Sequence, residues 1–226
     1  MELYGLIFDL DGVIADTEEV NAKASIKMFE GLFGIKGLQR KDFEAGLGRG
    51  AEAYVRAAGD LHGFEMTSEQ LDQATKVRHG NFMKILDTEP LPPFPGVLEL
   101  MEAAKNQPKF RVGIATSSSR EKSRAVLDSA RIPYRDMTYI NGDNVTEKKP
   151  SPEIFMVCAA RMGVVPQRCV VIEDAPDGVS AAKAAGSKCI AVTNSVSADR
   201  LAHADKVVES LEEVDTEQII RLVEGK

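Results

Sequence analysis

The sequence predicts an α/β fold: a Rossmann-like parallel sheet with helices on both faces, plus an inserted all-helical segment. Three observations predict it. Short apolar runs recur, over residues 3–9, around Val112, over 137–140, around Val170 and over 189–192. After residue 96 each run is separated from the next by a segment of helical spacing, the alternation expected of a parallel sheet covered by helices. The interval 17–88 shows helical patterns and no strand pattern.

The elements follow in order. Residues 3–9 read as a buried strand. Asp16 or Thr17 can cap a helix on which Ala22, Ile26, Phe29 and Phe33 recur at helical spacing. Residues 46–50 are glycine-rich and read as a loop. Tyr54, Val55, Ala58 and Leu61 mark a second helix, and residues 71–86 a third. Residues 89–96 hold four prolines and suit a semi-rigid return. The pattern gives a core of residues 1–16 and 90–226 and a helical insert of 17–89. Beyond the return, helices alternate with the later strands. Ser118 and Glu121 are spaced as a capping box. Ser151 is placed to cap a helix beginning at Pro152, and Pro176 to begin another. Residues 207–208 suggest an edge strand and 217–223 a last helix.

Composition narrows the function. The 226 residues are 43% hydrophobic and 28% charged, ordinary for a globular enzyme. A net charge of −7 argues against a nucleic-acid partner, because phosphodiester backbones require a basic face. No apolar run approaches membrane-spanning length, and no secretory leader pattern is present. Cys158, Cys169 and Cys189 form no C-x-x-C pair, which suits a reducing compartment. The expectation is a cytoplasmic monomer with no membrane or nucleic-acid partner. His62, His79 and His203 show no metal-ligand spacing.

The chemistry concentrates at strand ends. Asp9 and Asp11 close the first apolar run, and strand alternation points them the same way. Two such carboxylates repel unless a cation sits between them, and Mg²⁺ is the simplest hard cation for oxygen ligands. The same residues also read as an Asp-Gly turn. The second apolar run ends in Thr116, Ser117 and Ser118. Lys149 precedes Pro150 just before a helix, and the Val170 run ends in Glu173-Asp174. In open α/β sheets ligands bind at the carboxyl edge of the strands, where the carboxylates and hydroxyls fall.

Taken together, the motifs over 9–13, 116–118, 149–155 and 173–178 resemble those of the haloacid dehalogenase-like superfamily, in the branch of β-phosphoglucomutases and small-molecule phosphatases. They keep the order of that family and span most of the chain. The resemblance implies that Asp9 is the nucleophile and Asp11 the general acid and base. It implies that Thr116 and the Ser117 N–H bind phosphoryl oxygens and that Lys149 neutralises charge. Asp9, Asp11 and Asp174 would hold Mg²⁺, with Glu173 either a further ligand or a partner behind the ligands. In the helical cap, Gly48, Arg49 and Arg78 are candidate substrate contacts, although either arginine also reads as a surface residue. The implied activity is hydrolysis of a small phosphorylated metabolite, a sugar phosphate, through an aspartyl-phosphate. The alternative is a phosphomutase, which returns the phosphoryl group to the sugar. Mutases of this branch carry a histidine after the Asp-Thr hinge; Asn21 stands there in this chain. A catalytically silent binding protein is a third reading, opposed by the intact Asp9, Asp11, Lys149 and Asp174.

Overall fold

The protein is described by a computed structural model covering residues 2–46 and 51–225. Its chain forms two compact units, one of residues 1–16 and 91–226, the other of residues 17–90.

The first unit is built on six parallel strands: β1 (Tyr4–Phe8), β2 (Phe110–Ala115), β3 (Thr138–Ile140), β4 (Cys169–Glu173), β5 (Lys188–Val192) and β6 (Lys206–Val208). Their order is β3-β2-β1-β4-β5-β6. The sheet is Rossmann-like, with β1 at its centre. Every residue of β1 is buried, as a strand covered on both faces requires, so its sequence is an unbroken apolar run rather than an alternating one. Leu6 pairs with Val112 on one side and with Val170 on the other. In chain order the helices of this unit are α4 (Val97–Lys105), α5 (Arg120–Ser129), α6 (Glu153–Met162), α7 (Pro176–Ala184) and α8 (Thr216–Glu224). Phe155, Cys158 and Ala159 of α6 and Val179, Ala181 and Ala182 of α7 join Ile7, Val171, Cys169 and Cys189 in one buried cluster. All three cysteines are therefore core residues.

The second unit holds α1 (Thr17–Phe33), a 3₁₀ turn (Arg40–Gly46), α2 (Ala51–Leu61) and α3 (Ser68–Thr88). It has its own core around Met28, Phe29, Phe43, Val55 and Ala58, with Phe43 stacked on Tyr54 at 4.9 Å. Among the described residues no helix is long and apolar enough to cross a membrane.

Several local expectations are corrected. Leu61, read as part of an apolar face, ends α2 and is 66% exposed. The 3₁₀ turn at 40–46 carries no periodic signature and escapes the sequence reading. The α5 cap is Ser119, whose hydroxyl accepts from the Lys122 N–H, and not Ser118. The α6 cap is Pro152 rather than Ser151, and the helix begins at Glu153. The Glu153 carboxylate instead accepts from the Thr146 and Glu147 N–H groups, which hold it below its ordinary titration range. Short polar residues compete for caps, and spacing alone does not choose between neighbours.

Candidate active site at the carboxyl edge of the sheet

β1 and β4 run side by side, with Phe8 opposite Ile172. The Asp9 N–H still donates to the Ile172 carbonyl at 3.0 Å. Asp9 therefore emerges next to Glu173 and Asp174. The three carboxylates offer oxygens that all lie within 4.8 Å of one another, and all three residues are buried. Lys149 reaches in from the loop before α6 and contacts both Asp9 and Glu173. The peptide bond from Lys149 to Pro150 is cis. The Lys149 ammonium also lies 4.9 Å from the centre of the Phe155 ring.

Glu173 is fully engaged. One oxygen faces Lys149; the other accepts from the Asp174 and Ala175 N–H groups, at 2.9 and 3.1 Å, at the mouth of α7. Gly178 leaves room for it, since a Cβ there would lie 1.9 Å from the carboxylate. Asp174 accepts a hydrogen bond from the Ser195 hydroxyl. Gly12 adopts a φ of +81°, and a Cβ on it would come within 1.9 Å of the Asp174 carboxylate. Glycine alone meets both conditions.

Asp11 stands apart from this group. β1 has ended and Gly12 has turned the chain, so strand alternation no longer orients the side chain. Its carboxylate accepts from Ser118 at 2.7 Å, from Thr116 at 3.3 Å and from the Lys122 ammonium at 3.1 Å. Asp11 is thus not among the clustered oxygens, although the motif resemblance counts it with the metal ligands. The Thr116 hydroxyl also accepts from the Ser118 N–H at 3.1 Å. The Ser117 hydroxyl is buried with no protein partner. A buried hydroxyl without a partner is costly, and it suits a site that takes in an anion.

Burial dominates the electrostatics. It pushes the Asp9 carboxyl up to about 7; Lys149 opposes the shift, while Glu173 and Asp11 add to it. Burial likewise holds Asp174 well above the ordinary carboxylate range, reinforced by Glu173 and Asp9 and opposed by the Ser195 hydrogen bond. Burial pulls Lys149 down, but the Asp9 and Glu173 carboxylates outweigh it and keep the ammonium charged. Once ionised, three buried carboxylates against one ammonium would carry uncompensated negative charge, which is why Asp9 and Asp174 hold their protons so long. An all-oxygen donor set with that excess fits a hard divalent cation.

The other predicted residues lie in the second unit. Arg78 is no surface arginine: it donates to Asn21 at 2.7 Å and to Ser25 at 3.0 Å, and its guanidinium sits 5.1 Å from the centre of the Tyr54 ring. Burial lowers its pKa. The Tyr54 hydroxyl in turn donates to Glu18. Gly48 and Arg49 lie outside the described residues. The structure thus brings together Asp9, Lys149, Glu173 and Asp174, with Asp11 and Thr116 in an adjoining group. Sequence reasoning missed Lys122, Asn194 and Ser195 and gave Ser118 only a capping role. Asn194 and Ser195 follow β5 at the same edge of the sheet, so the strand-end rule would have found them.

Comparison with known proteins identifies the family. Residues 5–186 match the model of the haloacid dehalogenase-like hydrolases. The chain is 32% identical to fructose-1-phosphate phosphatase YqaB of Escherichia coli, over 83% of this chain and 95% of that one. It is 33% identical to SUPPRESSOR OF QUENCHING 1 of Arabidopsis thaliana over 85% of its own length, but spans only 18% of that protein. Among solved structures, a CbbY mutant of Rhodobacter sphaeroides in complex with xylulose-(1,5)bisphosphate superposes with a TM-score of 0.76 at 26% identity, covering 93% and 96% of the two chains. β-Phosphoglucomutase of Clostridium difficile shares the fold, with a TM-score of 0.78 at 24% identity, covering 99% and 98%. On the family match and the identity to its phosphatases, the chain belongs to the haloacid dehalogenase-like hydrolases and is a phosphatase of that family.

Proposed function

We propose that this enzyme hydrolyses a small sugar phosphate through an aspartyl-phosphate formed on Asp9, with Mg²⁺ as its metal. The observation that carries the proposal is the buried Asp9 carboxylate at the end of the central strand, in contact with Lys149 and clustered with Glu173 and Asp174. Asp9 and Asp174 would hold the Mg²⁺, which supplies positive charge against the phosphoryl oxygens. Glu173 orients Lys149 and keeps it charged. An Asp9 oxygen attacks phosphorus and the ester P–O bond breaks, while Asp11 gives its proton to the leaving oxygen. Asp11 then takes a proton from water, whose oxygen attacks phosphorus. The Asp9–phosphorus bond breaks, and inorganic phosphate leaves. Thr116 and Ser117 border the phosphoryl group, with the unpartnered Ser117 hydroxyl as one donor. The cytoplasmic setting and the monomeric state belong to this reading. So does a cap role for residues 17–90.

The sugar phosphate is favoured by the likeness to the fructose-1-phosphate phosphatase and to the xylulose bisphosphate complex. Water is favoured over a sugar hydroxyl as acceptor by Asn21, whose carboxamide holds Arg78 and does not titrate near neutral pH. Purified protein with Mg²⁺ should release inorganic phosphate from members of a sugar-phosphate panel. Given β-glucose 1-phosphate and catalytic glucose 1,6-bisphosphate, it should release phosphate or do nothing. Efficient formation of glucose 6-phosphate would make it a mutase.

Gly48 and Arg49 are candidate substrate contacts on the motif resemblance, and Arg78 is a second cationic candidate on its charge. A charge-assisted contact contributes about 1.5–3 kcal/mol. Arg49→Ala should accordingly lower kcat/KM for the preferred sugar phosphate by about 10- to 150-fold. Hydrolysis of p-nitrophenyl phosphate, with fewer contacts to make, should fall much less. Equal losses on the two substrates would take Arg49 out of substrate recognition.

A further inference from the structure

We infer that Asn194 and Ser195, on the loop after β5, are positioning residues for the metal: they pin the two halves of its site to each other. This rests on the reading that Asp9 and Asp174 hold Mg²⁺. Those two aspartates follow different strands, β1 and β4, and no direct hydrogen bond between their carboxylates is possible while both are ionised. The loop after β5 reaches both strand ends. The Asn194 side-chain amide donates to the Gly12 carbonyl at 2.8 Å, fixing the turn that follows Asp9. One residue on, the Ser195 hydroxyl donates to the Asp174 carboxylate. Gly12 closes the arrangement: a Cβ on it would meet both the Asp174 carboxylate, at 1.9 Å, and the Ser195 hydroxyl, at 2.5 Å. The turn, the carboxylate and the hydroxyl are packed as one piece.

The chemistry of the contact suits this role. Ser195 engages one oxygen of Asp174 and leaves the other for a cation, so it restricts the rotation of the carboxylate without consuming its donor capacity. Outer-shell hydrogen bonds of this kind orient ligands, and their loss typically costs 10- to 100-fold in metal affinity. Ser195 itself is exposed, so its substitution leaves the core intact.

The test is Mg²⁺ binding to metal-free protein, followed by titration calorimetry and by Mn²⁺ electron paramagnetic resonance, with no substrate present. The parent protein should bind one ion, and Asp174→Asn should abolish that binding. Ser195→Ala should raise Kd by about 10- to 100-fold, and Asn194→Ala should raise it by a smaller factor. Ser195→Thr, which keeps the hydroxyl, should restore the parent Kd. The melting temperature of the metal-free Ser195→Ala variant should match the parent within a few degrees, separating ligand orientation from folding. A Kd for Ser195→Ala within twofold of the parent overturns the inference while leaving the metal reading in place. Equal weakening by Ala and Thr also overturns it. Absence of binding to the parent protein removes the metal reading, and the inference with it.

Discussion

Asp9→Asn should lower kcat by at least ~10³ while leaving the fold intact, the scale of loss for a nucleophile that works as part of a unit. The carboxamide has the size of the carboxylate and can still accept a hydrogen bond from Lys149. It lacks the anionic oxygen that would form the bond to phosphorus. Asp9 is also enclosed by the other groups of the site: it touches Lys149, clusters with Glu173 and Asp174, and is 5% exposed. Burst-phase kinetics offer a second readout. The parent protein should show a phosphoenzyme trapped by acid quench and cleaved by hydroxylamine, as an acyl phosphate is; the variant should show none. Turnover within tenfold of the parent would remove Asp9 from the bond-making step.

Asp174→Asn should act in opposite directions on activity and on stability. Without the second carboxylate the site loses its excess negative charge, and Mg²⁺ should no longer stimulate turnover. Without metal the same change relieves an uncompensated buried charge, an effect of about 1–3 kcal/mol. The metal-free variant should therefore melt above the metal-free parent at pH 8. The sign with pH follows from linkage. An unfolded aspartate releases its proton near pH 3.9, whereas folded Asp9 keeps it until about 7. Between those values the folded state binds more protons, so stability of the metal-free parent should fall as pH rises from about 4 to 7. Asp174, also raised, adds to the fall in the parent and contributes nothing in the variant. Melting curves over that range, with and without Mg²⁺, check both halves. A variant that is less stable without metal, or still stimulated by Mg²⁺, contradicts this account.

What the sequence disclosed follows from which forces act locally. The buried strands were legible because a strand covered on both faces is apolar along its length, as in Tyr4–Phe8 and residues 169–172. That Asp9, Glu173 and Asp174 fall at one edge was legible because strand ends fix where a side chain emerges, whereas Lys149 was singled out by the motif resemblance. The partners of Asp11 were not legible, because Thr116, Ser118 and Lys122 lie more than a hundred residues further along the chain. Ser118 was taken for a cap because a serine satisfies a helix terminus or a carboxylate equally well, and the choice depends on Asp11, more than a hundred residues away. Arg78 kept its surface reading as an alternative because no local pattern announces that Asn21, Ser25 and Tyr54 converge on it. Asn194 and Ser195 were passed over because a polar pair after a strand is ordinary until its distant partners are known.

The central place of β1 also bears on how the molecule is made. β1 pairs with β2 and β4, and each partner lies more than a hundred residues further along the chain. Closing such long loops costs entropy before any pairing compensates it, and topologies of this kind fold slowly. On a ribosome the segment bearing Asp9 must wait without a partner strand until the chain has been synthesised past Ala115, and its other edge must wait until the chain has passed Glu173. The second unit, whose helices are neighbours in sequence, faces no such delay. Amides of β1 should accordingly gain protection from hydrogen exchange late in refolding, and the candidate site should be among the last features of the molecule to appear.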